Sequence, residues 1–108
     1  HLLQHNFLNE ERYAKAFTRR KFKIKKWGKI KITNELKFRN ISAYNIKNAL
    51  LEINEDAYLK TLQQLAKKKL PLIKASNSFI KRNKLSTYLI SKGYESNLVF
   101  DLVKKIIQ

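Results

Sequence analysis

The feature that most restricts what this chain can fold into is that it repeats itself. Sliding the sequence by 45 residues lays NEERYAKAF, beginning at Asn9, over NEDAYLKTL, beginning at Asn54, and matches Tyr13 to Tyr58. An eight-residue insertion then changes the offset to 53, which places Leu36 on Leu89, Asn40 on Gly93, Ile41 on Tyr94, Ile46 on Val99 and Ala49 on Leu102. A repeat of this length is one supersecondary unit that buries its apolar face against a neighbour. Within each copy the apolar residues recur at steps of three and four, the period of a helix. The expected fold is therefore all-α: two tandem three-helix units, residues 9–53 and 54–108, in an elongated helical bundle. Residues 1–8 read as the tail of a preceding unit, which makes the chain a fragment of something longer.

Local signals place the six helices. Asn9 is expected to cap the first, with Glu10 and Glu11 facing the positive end of its dipole, and Tyr13, Ala16, Phe17, Arg20 and Ile24 form its stripe. The second fits Lys29 to Arg39, buries Ile32 and Leu36, and stops at a left-handed Asn40. Ser42 caps the third, whose inward face is Ala43, Ile46, Ala49, Leu50 and Ile53. Asn54 caps the fourth, which carries Tyr58, Leu59, Leu62, Leu65, Ala66 and Leu70 up to the break at Pro71. LPLIKASNS reads as a linker. The fifth runs from about Ser78 to Lys92 with Ile80, Leu85 and Leu89 inward and Gly93 as its stop, and the sixth begins near Ser96.

One stretch resists this scheme. RRKFKIKKWGKIKI, residues 19–32, alternates cations with Phe22, Ile24, Trp27, Ile30 and Ile32 as a strand would. A hairpin here would need a counterpart in the second unit, and KRNKLSTYLI shows no alternation. The stretch is read instead as a basic elbow: Arg19 to Lys26 finish one helix and Lys29 to Ile32 start the next, abutting at Trp27–Gly28.

The charge is lopsided. Twenty-four Lys and Arg against eight acids give a formal charge of +16. Residues 19–39 hold ten cations and only Glu35, and residues 60–84 hold eight cations and no acid. Charge meant only for solubility is interspersed with acids, so this distribution points to a polyanionic partner, nucleic acid first. With no cysteine, and histidine only at His1 and His5, thiol and zinc-finger chemistry are excluded. No apolar run approaches the roughly 20 residues of a membrane span, and the expected location is cytoplasmic. The acids are scattered and no glycine-rich phosphate loop occurs, so the chain reads as a binding protein without enzymatic activity, cofactor or metal.

Here the residues resemble a known family. Phe7, Leu8, Asn9, Glu10, Arg12, Tyr13, Ala14, Ala16 and Phe17 fill the opening signature of the RecX regulators of the RecA recombinase. Gly28, Lys31, Ile32 and Leu36 fill its Gly-x-x-[Arg/Lys]-Ile-x-x-x-Leu segment. KLSTYLISKGY, residues 84–94, is similar to the family's last repeat. Lys31 stands where arginine is common, which keeps the charge but loses the bidentate fork. The family has three tandem repeats, of which this chain matches the last two. The resemblance implies a protein that binds RecA filaments along their groove, suppresses ATP hydrolysis and strand exchange, and binds single- and double-stranded DNA.

The residues expected to meet DNA or RecA are Arg19, Arg20, Lys23, Lys26, Lys29, Lys31, Lys37 and Arg39, with Lys68, Lys81, Arg82 and Lys84 in the second unit. Lysines of this kind suit phosphate neutralisation without sequence reading. Tyr13, Ala14, Ala16 and Phe17 read as packing residues. Arg12 either pairs with an acid or faces a partner, and Trp27 is core or a base-stacking platform. The alternative function is a sequence-specific helix-turn-helix protein with AYNIKNALLEI as its reading helix, but that segment offers only Lys47 as a cation.

Overall fold

A computed structural model describes residues 2–108, with side chains from Asn9 onward. Six helices follow in order: α1 (Leu2–Lys23), α2 (Lys29–Phe38), α3 (Ala43–Leu50), α4 (Glu55–Lys69), α5 (Ser78–Ser91) and α6 (Ser96–Ile106), with a 3-10 turn at Leu70–Leu72. No strand occurs among the described residues, so the elbow at 19–32 is helical on both sides. The helices pack as two three-helix units, α1–α3 and α4–α6, in a body of 60 × 23 × 20 Å.

The helix ends follow from their capping groups. Ser42 Oγ accepts from Asn45 N–H at 3.2 Å, and Asn54 Oδ1 accepts from Ala57 N–H at 2.9 Å. Asn77, inside the segment read as linker, does the same for α5 through Ile80 N–H at 2.9 Å. Asn40 and Gly93 both take positive φ, 64° and 102°, at the ends of α2 and α5, which is the left-handed stop that Asn and Gly tolerate best. The 3-10 turn forms where Pro71 can no longer donate to the helix ladder.

Several expectations need correction. Asn9 lies inside α1 and is not its cap, because the helix starts upstream at Leu2. The reading of residues 1–8 as the tail of another unit lies outside the residues whose side chains are described. Glu10 serves α3 instead: its carboxylate accepts from Asn45 Nδ2 at 2.6 Å and from Ser42 N–H at 3.4 Å, so an acid of one helix caps another. The buried face of α1 is turned from the expected stripe. Ala14, Phe17, Thr18 and Phe22 are buried, whereas Tyr13 is 37% and Ile24 70% exposed. In burial, Ala14, Thr18 and Phe22 therefore correspond to Tyr58, Leu62 and Ala66, one residue away from the match of sequence letters. Ala43 and Leu59 also face solvent, and Asn45 takes the inward place on α3.

The elbow turns earlier than expected. α1 ends at Lys23, and Lys26 adopts φ 60° outside the helix. Trp27 N–H reaches the Lys21 carbonyl at 3.0 Å and Lys26 N–H the Phe22 carbonyl at 3.1 Å, which closes the helix end. A left-handed residue with a side chain costs about 1 kcal/mol. Lys26→Gly is expected to raise stability by roughly 0.5–1 kcal/mol, read as a higher urea midpoint at unchanged m-value.

Candidate nucleic-acid interface

The site begins with the way the two units are fastened. An α-helix leaves its first amides without intrahelical partners, and α2 has neither a capping side chain nor an acid in its first turn. The other unit supplies the acceptors. Gly28 N–H donates to the Lys92 carbonyl at 2.8 Å, Lys29 N–H to the Tyr58 hydroxyl oxygen at 2.8 Å, and Ile30 N–H to the Gly93 carbonyl at 2.9 Å. The Tyr58 hydroxyl in turn donates to Glu95, and the Tyr94 hydroxyl donates to the Lys26 carbonyl at 2.9 Å. The backbones meet so closely that a Cβ on Gly28 would fall 2.3 Å from the Gly93 carbonyl atoms. Phe22, Tyr58 and Tyr94 run through the seam with ring centroids 5.9 and 5.0 Å apart.

Both buried phenols hold their protons above the ordinary value near 10, Tyr58 through burial and then its bond to Glu95, Tyr94 through burial and then the Glu95 charge. The folded chain therefore keeps protons that the unfolded chain releases above about pH 10. Their stabilisation is intact below that pH and falls as pH rises towards the folded values, by up to about 1.4 kcal/mol per pH unit for each tyrosine. Melting temperatures measured from about pH 8 to 11 should show this decline. A Tyr94→Phe variant should show a shallower one.

Of the expected cations, some lie at the seam and others within the first unit. Lys29 pairs with Glu55 at 2.8 Å and lies over the Tyr58 ring at 4.6 Å. Arg19 pairs with Glu52 at 2.8 Å and Arg39 with Glu35 at 3.3 Å, so three of the expected contact residues already hold an acid within the chain. Such half-exposed pairs are worth about 0–1 kcal/mol each, little enough for a phosphate to exchange with the carboxylate. Lys31 lies over the Trp27 ring at 4.6 Å, and Lys26 Nζ folds back to the Lys23 carbonyl at 2.8 Å. Arg20, Lys23 and Lys37 stand exposed on α1 and α2. In the second unit Lys68 and Lys84 are exposed, the latter bonded to the Lys74 carbonyl at 2.6 Å, while Lys81 and Arg82 are half-buried on α5. Lys68 lies on α4 and the other three on α5, so none of the four is on the helices of the elbow.

Trp27 is half-buried, edge-on to Phe17 at 6.2 Å, with the ammonium groups of Lys21 and Lys31 at 4.9 and 4.6 Å from its ring centroid. A ring so covered orders cations and is not a free platform for a base. Arg12 is exposed on α1.

Three cations at the seam are absent from the expected contacts: Lys21 and Lys25, counted only as part of the basic stretch, and Lys92. Lys92 Nζ donates to the Lys25 carbonyl at 3.1 Å. Its pKa is lowered by burial first, then by the nearby charges of Lys31 and Lys25. The repeat contained a signal for it, since the offset of 53 sets Lys92 on Arg39. Among the described residues no cluster of His, Cys, Asp or Glu could hold a metal, and no helix is long and apolar enough to cross a membrane.

Comparison with known proteins agrees with this architecture. Residues 9–50 match the family model described as RecX, second three-helix domain, and residues 55–103 match RecX, third three-helix domain. Similar curated proteins include Regulatory protein RecX of Clostridium beijerinckii, 32% identical over 108 residues, covering 98% of this chain and 50% of that protein. Regulatory protein RecX of Clostridium botulinum strain Eklund 17B is likewise 32% identical, with the same coverage, and that of Clostridioides difficile is 24% identical over 106 residues, covering 98% of this chain and 48% of that protein. The chain thus spans about half the length of the curated relatives it matches. No solved structure matches it significantly. With two of that family's three-helix domains in their order along one chain, this protein belongs to the RecX family.

Proposed function

We propose that this chain is the part of a cytoplasmic RecX-type regulator that binds RecA nucleoprotein filaments and DNA, and that it restrains RecA's ATP hydrolysis and strand exchange during recombination and repair. The observation that carries this reading is the match of both units to consecutive RecX domains. A rod of 60 × 23 × 20 Å with a charge of +16 is of a shape and sign to lie along a filament groove and meet acidic filament surface or the DNA inside it. The contacts fall on Arg20, Lys23 and Lys37, which are exposed, and on Arg19, Lys29 and Arg39 after exchange of their carboxylate partners. Lys26 and Lys31 extend this stripe at the elbow, and Lys68, Lys81, Arg82 and Lys84 add positive charge on α4 and α5. Ammonium groups neutralise phosphate without reading bases, so binding to single and double strands alike is expected.

The decisive experiment is RecA ATPase on single-stranded DNA, titrated with this chain. The rate should fall at substoichiometric levels, and an unchanged rate would overturn the filament reading. Alongside it, replacing Arg20, Lys23 and Lys37 with alanine should flatten the dependence of duplex affinity on salt. The log–log slope should drop by up to about 0.9 for each phosphate that is no longer neutralised. An unchanged slope would remove this stripe from the interface.

A further inference from the structure

The helical elbow brings three cations from two units to one place and leaves them without an acid. Lys25 and Lys31 belong to the first unit and Lys92 to the second. Lys92 is anchored on the Lys25 backbone at 3.1 Å. Lys31 lies against the other unit's turn so closely that a Cβ on Gly93 would stand 2.3 Å from the Lys31 Cβ. Burial and two like charges are what act on Lys92, and no carboxylate is among the groups that shift it. Six of the eight acids are engaged elsewhere. Glu11, Glu35, Glu52 and Glu55 pair with Lys15, Arg39, Arg19 and Lys29, while Glu10 holds Asn45 and Glu95 holds Tyr58. A cluster of this kind repels itself until an anion enters.

We propose that Lys25, Lys31 and Lys92 form a phosphate site shared between the two units, and that its occupant is the sugar–phosphate backbone of a nucleic-acid strand. The proposal rests on the DNA-binding reading above and adds where the strand crosses the molecule. Two observations choose a backbone over a base. The cations are ammonium point charges and not guanidinium forks, and Trp27 already carries the Lys21 and Lys31 ammonium groups, while Tyr58 and Tyr94 are fully buried. Lysines exposed at 23 and 26 continue the positive track on the first-unit side of the seam.

Fluorescein-labelled oligo-dT, titrated at several salt concentrations, tests the site. Lys25→Gln, Lys31→Gln and Lys92→Gln should each lower affinity and reduce the salt slope by about 0.7. Lys92→Arg should keep the slope, and Lys105→Gln, at an exposed position of α6, should leave it unchanged. Trp27 is the only tryptophan, so its emission should change on binding in the unaltered chain and respond much less in Lys31→Gln. Lys25→Gln removes no hydrogen bond seen in the structure, which keeps the test valid if Lys92→Gln loosens the seam. Unaltered slopes in all three glutamine variants, with the slope still lowered by the Arg20, Lys23 and Lys37 triple variant, would overturn the shared site and leave DNA binding standing. Failure of the unaltered chain to bind the oligonucleotide would overturn both.

Discussion

Gly28→Ala is expected to cost about 3 kcal/mol or more, the upper end of what overpacking a close contact does. The glycine is not there for its backbone freedom, since φ −79° and ψ 169° are open to any residue. It is there for space: the added Cβ would lie 2.3 Å from Gly93 C and O and 2.4 Å from Tyr94 N, all of them backbone atoms that cannot rotate away. Relief requires the units to separate, and separation breaks the bonds from Gly28, Lys29 and Ile30 at about 1 kcal/mol each. Urea unfolding should show a lower midpoint. A midpoint within error of the unaltered chain would mean that the units do not meet as described.

Tyr58→Ala should be comparably severe, about 3–5 kcal/mol, because a fully buried aromatic ring leaves a cavity. That ring touches Phe22 of the first unit and Tyr94 of its own, and the Lys29 ammonium lies over it. Tyr58→Phe separates the ring from the hydroxyl. It keeps the packing but strands the Lys29 amide and the Glu95 carboxylate, for an expected loss of about 1–3 kcal/mol. A phenylalanine variant as stable as the parent would show that water replaces the hydroxyl in both bonds.

Helix number, order and most stops could be read from the letters because their causes are local. Ser42, Asn54, Asn40, Gly93 and Pro71 act within a few residues of themselves, and the structure uses each as its chemistry suggests. Asn9 failed for the complementary reason. A capping residue caps only where a helix begins, and here the helix continues upstream. The face of α1 was misjudged because Tyr13 and Tyr58 share a letter and not a burial environment, a difference set by what packs across from them. The basic stretch was legible as charge, but its division into paired and unpaired cations was not. Arg19 finds Glu52, Lys29 finds Glu55 and Lys92 finds the Lys25 backbone across separations that no local pattern encodes.

The borrowed capping of α2 has a consequence for how the chain acquires its shape. The groups that complete the start of this helix lie far along the sequence, as the Lys92–Lys25 and Tyr94–Lys26 bonds do across 67 and 68 residues. A chain cut before the end of its fifth helix would lack the Lys92 and Gly93 carbonyls that accept from the start of α2. In such a truncation α2 is expected to fray at its start, and in the intact chain the two units are expected to unfold together in one transition. In tandem-repeat proteins neighbours often fold as separable links; the bonds shared across this seam favour a single clasp instead.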